Sequence, residues 1–239
     1  MNLILFEPGE ESRPLALTDP RAVHLREVLQ RQPGESFDAG IVNGSRGRGT
    51  VKAVGSESLE LAFSWGDPPV PLEPFTLIVG LPRPQTARDI LREATTLGVA
   101  RLVFASAART EPGYAQSTLW QGGEWRRHLL TGAAQAFDTR IPEVVFGVRL
   151  STALADLPTG GTRIALDNYE ATAALPASIE PANSPLVLAI GPERGWADED
   201  RAVLRGAGFA LAHLGTRVLR TETAVIAAVT LAKARRGWM

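Results

Sequence analysis

The sequence predicts an α/β protein in two parts: a small β-barrel, then a larger domain on a mostly parallel sheet. Three observations carry this. Short β-like runs separated by Gly/Asn turns fill the first 68 residues. Four prolines crowd into Pro68-Pro69-Val70-Pro71-Leu72-Glu73-Pro74, a composition that continues neither a helix nor an inner strand. Beyond it, strand and helix patterns alternate, as in β-α-β units with helices on both faces of a parallel sheet. The boundaries that follow are 1–68, a linker at 69–74, and 75–239.

In the first part, Leu3–Phe6, Ser36–Val42, Gly49–Val54 and Ser58–Phe63 have strand composition, and Asn43-Gly44-Ser45-Arg46-Gly47-Arg48-Gly49 forms the clearest turn cluster. One helix fits Asp19–Gln30, with Ala22, Leu25, Val28 and Leu29 at helical spacing. Asp19 supplies the N-cap and Pro20 the first helical position. In the second part Thr76–Gly80 is a strand, and Ala87, Ile90, Leu91, Ala94 and Leu97 give an i, i+3, i+4, i+7 helix closed by Gly98. Val99–Ala105 and Thr162–Leu166 are further strands, and Trp125–Phe137 is helical. Two final units each run strand, glycine loop, helix: Leu186–Ile190 into Gly191-Pro192-Glu193-Arg194-Gly195, and Ala210–Leu214 into Gly215 and Arg217–Ala224. In open α/β sheets such loops build the ligand crevice.

Composition sets limits. Of 239 residues, 44% are hydrophobic and 21% charged, near the average of globular proteins. No apolar run approaches the roughly 18 residues of a membrane span, and Met1–Glu7 has no signal-peptide character. The absence of cysteine excludes disulfides and thiolate catalysis and fits a cytoplasmic location. The three histidines, His24, His128 and His213, are scattered, so no metal is expected. The net charge of −1 speaks against a broadly basic nucleic-acid binder. The 25 basic residues are arginine except for Lys52 and Lys233, and arginine suits bidentate phosphate contacts and stacking.

The loop at Gly191 lacks the ending of a phosphate-binding P-loop, and no dinucleotide fingerprint follows a strand. A tight turn accounts for its glycines as well as a ligand loop does. In Arg220-Thr221-Glu222-Thr223-Ala224, Thr221 fits a helix N-cap and Glu222 a first-turn acid, and the same end offers free N–H groups to a ligand. Arg83, Arg88 and Arg92 surround one helix and read either as solvated charge or as a phosphate-contacting patch; Arg46 and Arg48 fit a hairpin tip or a nucleic-acid contact.

Leu188-Ala189-Ile190-Gly191-Pro192-Glu193 and Leu214-Gly215-Thr216-Arg217-Val218-Leu219-Arg220-Thr221-Glu222-Thr223-Ala224 together resemble the ribosomal RNA small subunit methyltransferase E (RsmE) family of the SPOUT class. Weaker matches are His24–Leu29, Leu97-Gly98-Val99, and Gln135 with Arg140-Ile141-Pro142. The resemblance implies a C-terminal SPOUT-type α/β domain tied in a trefoil knot, preceded by a PUA-like RNA-binding β-barrel. It implies S-adenosyl-L-methionine as cofactor, 16S rRNA of the small ribosomal subunit as partner, uridine N3 as the methylated atom, and a homodimer. The residues carried over for the cofactor are Leu166 and Asp167; then Gly191, Pro192, Glu193 and Gly195; then Leu214, Gly215, Val218, Leu219, Thr221, Thr223 and Ala224. Arg220 and Glu222 are the catalytic candidates, and Arg26, Arg46, Arg48, Arg83, Arg88, Arg92 and Arg140 the RNA-binding ones.

The chain departs from the family pattern at Arg194, where a glycine is usual, and at Thr96, Ala134 and Gln30. Two competing readings follow: an RNA-binding protein that keeps the fold without transferring methyl groups, or a methyltransferase with another RNA target.

Overall fold

The computed structural model describes residues 3–180 and 184–239. The chain forms two compact units: the residues up to Pro71 with Ala133–Ile141, and Leu72–Gly132 with the chain from Pro142 onward.

The first unit contains β1 (Ile4–Phe6), β2 (Leu15–Ala16), α1 (Pro20–Val23), β3 (Ser36–Ile41), β4 (Arg46–Val54) and β5 (Ser58–Trp65). Its five strands form one curled sheet in the order β1-β3-β4-β5-β2. Phe6, Leu25, Phe37, Val51 and Leu59 fill its core, and the Phe63 ring meets Phe6 edge-on and stacks on Trp65, each at 5.0 Å.

Two expectations are corrected here. The glycine-rich turn is confined to residues 43–45; Arg46–Gly49 already belong to β4. Their glycines serve close approach instead. A Cβ on Gly49 would lie 2.3 Å from the Phe37 ring, and one on Gly47 2.0 Å from the Ser64 carbonyl oxygen. The helix, capped as expected by Asp19 Oδ1 accepting from Arg21 N at 2.8 Å, opens into a π-turn at His24–Val28 and ends at Gln30 with φ +51°. That wider turn swings Val28 to 65% exposure, while Ala22 and Leu25 stay buried.

The second unit contains β6 (Phe75–Gly80), α2 (Pro84–Thr96), β7 (Arg101–Ser106), α3 (Thr118–Gln121), α4 (Trp125–Gln135, whose residues from Ala133 on belong to the first unit), β8 (Glu143–Arg149), α5 (Leu150–Ala155), β9 (Thr162–Leu166), β10 (Ala173–Ala174), α6 (Leu175–Ser178), β11 (Leu186–Ile190), α7 (Asp198–Gly206), β12 (Ala210–His213) and α8 (Thr221–Arg236). Seven parallel strands stand in the order β10-β12-β9-β11-β6-β7-β8. Every residue of β6 and β11 is buried, as strands covered on both faces require. Ile78, Val103, Ala165, Val187 and Ala189 point to one face and pack on Leu150 and Leu154 of α5 and Leu204 of α7. The alternate residues Leu77, Val79, Leu102, Phe104 and Leu188 point the other way, the side where α2 and α8 pack together. Gly98, at φ +71°, ends α2 as expected, and Lys233 Nζ donates to the Leu97 carbonyl at 2.9 Å.

The edge strand β8 escaped the sequence reading because its alternation breaks at Gly147, φ +74°, where the register with β7 skips a residue. Among the described residues, no helix is long and apolar enough to cross a membrane.

Arg21 ties the first unit together through Asp19 (2.7 Å) and Glu10 (2.6 Å). Its hydrogen bonds are the main reason both carboxyls titrate below their ordinary values of 3.8 and 4.5. Carboxylates depressed by folding contribute stability that is complete above the unfolded pKa and lost as pH falls through the folded one. Urea midpoints should therefore drop as pH falls from about 5 toward 3, and Arg21→Met should flatten that slope.

Candidate active site

The registers bring three strand ends level. Leu166 pairs with both Ile190 and Ala212, and Ile190 also pairs with Val79. The loops leaving β9, β11 and β12 therefore emerge side by side at the carboxyl edge of the sheet and enclose a cavity of about 180 Å³.

In the first loop Asp167, 5% exposed, is a junction. Its Oδ1 accepts from Tyr169 N (2.8 Å) and Glu170 N (2.7 Å), and its Oδ2 from Arg201 Nε (2.8 Å). Burial pulls the Arg201 guanidinium pKa down, but Asp167, Glu170 and Asp198 raise it further, so it stays charged. The sequence carries no sign of this pair, whose members stand on different elements.

The second loop folds back on itself. Gly195 N donates to the Pro192 carbonyl at 2.8 Å, with Gly195 at φ +67°. A Cβ on Gly191 would come within 3.1 Å of the Gly195 backbone. Trp196 Nε1 donates to the Leu166 carbonyl at 3.0 Å and anchors this loop to the end of β9. On the opposite flank the chain reaches β6, where a Cβ on Gly80 would lie 2.3 Å from Pro192 Cδ. Glu193 Oε1 accepts from Arg83 N, 3.0 Å away at the start of α2, a favourable place for a carboxylate.

The third loop turns at Gly215, φ +104°, whose N–H donates to His213 Nδ1 at 3.0 Å. It runs directly into α8. Here Arg220, not Thr221, occupies the N-cap, without a side-chain hydrogen bond; Thr221 is the first helical residue and is buried. The threonine lines the cavity.

Of the residues singled out for a cofactor, Leu166, Asp167, Gly191, Pro192, Glu193 and Gly195 all line the cavity, as do Leu214, Val218, Leu219, Thr221 and Ala224. Gly215 and Thr223 do not, nor do Arg220 and Glu222, which flank Thr221. Lining residues outside that set include Asn168, Tyr169, Arg194 and Arg217. Tyr169 and Val218 are 76% and 82% exposed, an apolar ring and an apolar side chain offered to solvent in one cavity. The strand-end rule would have found Tyr169, since it lies three residues beyond β9.

Most of the arginines singled out for RNA are internally engaged. Arg48 pairs with Asp38, Arg92 with Asp89 and Glu93, and Arg140 with Asp138. Arg88, followed by His128, holds the Glu124 carboxyl at about 2. Arg46 donates to the Phe137 carbonyl at 2.8 Å and lies over that ring. Arg26 is exposed, and Arg83 half extends into solvent.

Comparison with known proteins places this geometry. Residues 68–233 match the RNA methyltransferase domain family. The chain is 31% identical to the ribosomal RNA small subunit methyltransferase E of Treponema pallidum, across 98% of this chain and 92% of that protein. The chain belongs to the ribosomal RNA small subunit methyltransferase E family. A second member, from Borreliella burgdorferi, is 26% identical over 95% of both chains. The solved structure of a member from Neisseria gonorrhoeae, bound to S-adenosyl methionine, superposes with a TM-score of 0.78 at 22% identity, covering 98% of this chain and 97% of the other. Family membership thus extends over both units, while the cavity lies wholly in the second.

Two substitutions probe the cavity frame. Asp167→Ala leaves a buried guanidinium short of its main partner and should cost ~3 kcal/mol, the lower end of the range for broken buried pairs because Asp198 and Glu170 remain. Gly80→Ala pushes Pro192 aside and should cost about 1–3 kcal/mol. Urea denaturation reads both; wild-type midpoints would remove these contacts from the frame.

Proposed function

We propose that this chain is an S-adenosyl-L-methionine-dependent methyltransferase acting on uridine N3 in 16S rRNA of the small ribosomal subunit. The observation that carries the reading is the cavity at the ends of β9, β11 and β12, in a chain related to rRNA methyltransferases along nearly its whole length. The residues present fit the cofactor. Tyr169 and Val218 offer exposed apolar surface to a flat heterocycle, and the close-packed Gly191–Gly195 turn presents backbone where a side chain would intrude.

We read the passage of β11 between β9 and β6 as part of the trefoil knot of the SPOUT class, and the first unit as a PUA-like RNA-binding barrel. The domain limits 1–68 and 75–239, a homodimeric assembly and a cytoplasmic location belong to the same reading. When bound, S-adenosyl-L-methionine supplies an electron-poor methyl group. The Leu166–Asp167 end, the Gly191–Gly195 turn and the Leu214–Leu219 loop would hold it, with Thr221 and Ala224 at the start of α8. Glu222 accepts the proton leaving uridine N3, and Arg220 stabilises the negative charge that develops on the uracil ring. Arg220 is exposed and has no ion-pair partner among the described residues, so its charge is available for this role. Of the RNA candidates, Arg26 and Arg83 are more accessible than Arg46, Arg48, Arg88, Arg92 and Arg140, which would have to exchange an internal partner for phosphate.

Nucleoside mass spectrometry of 16S rRNA from cells with and without the gene tests the reading. 3-Methyluridine should vanish on deletion and return with the wild-type gene. Arg220→Ala should lower turnover by about 10²-fold or more while S-adenosyl-L-methionine affinity stays within a few fold; Glu222→Gln should slow transfer by at least about tenfold. If the nucleoside profile is unchanged while rRNA binding persists, the non-catalytic RNA-binding alternative takes over.

A further inference from the structure

A second cavity, of about 250 Å³, shares Glu193 and Arg194 with the first, so one turn forms a wall of both. Its other lining comes from Leu81 and Arg83 after β6 and from the segment after β7, including Arg109, Glu111 and Tyr114. Its charges are unusual for this molecule. Arg109 donates to the Arg194 carbonyl at 2.8 Å, and among the described residues neither Arg109 nor Arg194 meets a carboxylate. The Tyr114 hydroxyl likewise makes no hydrogen bond among them. Arg83 Nε donates to Thr86 Oγ1 at 3.1 Å and stands 4.0 Å from Glu193. Three arginines therefore face two acids here, and Glu193 already accepts the backbone N–H of Arg83.

Two guanidinium groups with no carboxylate in contact, in a cavity where arginines outnumber acids, are matched by a phosphate. A half-buried tyrosine ring lining an open cavity is matched by an unstacked base. An RNA nucleotide offers both at once. We propose that this second cavity receives the acceptor nucleotide, with Arg109 and Arg194 holding its phosphate and Tyr114 stacking on its base. The shared turn then brings base and methyl donor to adjacent cavities. Arg194 lines both cavities, so the shared turn itself carries a phosphate-binding charge. The inference rests on the methyltransferase reading above.

The test uses the full-length protein, S-adenosyl-L-methionine and small ribosomal subunits from cells lacking the gene. Arg109→Gln should raise KM for the subunits about tenfold and reduce the slope of log affinity against log salt by about one, the signature of one lost phosphate contact. Tyr114→Ala should also raise KM about tenfold, within the range for losing a base stack, whereas Tyr114→Phe should restore it. S-adenosyl-L-methionine affinity, measured by calorimetry, should stay within about twofold throughout; that unchanged value also certifies folding. Wild-type KM and salt slope in Arg109→Gln overturn the proposal. So does a loss of S-adenosyl-L-methionine affinity as large as the loss for RNA, which would assign these arginines to the cofactor carboxylate. Variants that match an active wild type dismiss this cavity alone. If the wild type transfers no methyl while Arg109→Gln still lowers direct affinity for the subunits and the salt slope, the methyltransferase reading falls and the RNA site stands.

Discussion

The insertion of Leu186–Ile190 into the middle of the seven-stranded sheet is the constraint on which the site depends. A strand flanked on both edges and covered on both faces can carry only apolar side chains, and Leu-Val-Leu-Ala-Ile meets that demand. Its position forces the following loop to emerge between the ends of β9 and β6. Contact with each neighbour then shapes the loop: Trp196 reaches the Leu166 carbonyl, and Pro192 presses on Gly80. Asp167 and Arg201 hold the adjacent loop from beneath. The cavity is thus a by-product of sheet order, with its loops fixed by contacts to the neighbouring strand ends.

The arginines divide into two populations. Arg21, Arg92, Arg140 and Arg201 are committed to internal carboxylates, which explains how a chain of net charge −1 spends so many guanidinium groups. Arg109, Arg194, Arg217 and Arg220 have no carboxylate partner among the described residues, and three of them line the two neighbouring cavities. Attraction for an anion is set by such local fields as well as by total charge. The molecule combines a net charge near zero with several guanidinium groups around the loops that meet no carboxylate among the described residues.

Much of the architecture was legible in the sequence because its signals are local. The helix of Ala87, Ile90, Leu91 and Ala94 closed by Gly98, the uninterrupted apolar runs of β6 and β11, and the Asp19-Pro20 helix start each follow from a few neighbouring residues. The features that escaped are set by distant partners or subtle backbone geometry. The π-turn that exposes Val28 leaves the helical spacing of its side chains formally intact. Gly47 and Gly49 look like turn residues until Ser64 and Phe37 are seen beside them. At the site, glycine loops and strand ends pointed to most cavity-lining positions. Tyr169 needed the crevice rule applied to β9 as well, and the Arg201 contact with Asp167 is invisible without the fold. Ion pairs such as Arg88 with Glu124 join a helix to the distant turn before α4, so a basic cluster on one helix could not be told from a paired one.

The central position of a strand so late in the chain also fixes an order of assembly. β11 pairs with β6, Leu186 lying opposite Phe75, a contact that closes a very long loop and belongs to the class of non-local pairings that slow folding. During synthesis, β6, β7 and β8 exist before the strand that joins them to β9, and their exposed inner edge must wait for it. The cavity cannot form until the chain has been made as far as α8, because its third wall leads directly into that helix. A chain that stops short of α8 lacks one wall of the cavity, so a complete cavity reports that the sheet has closed.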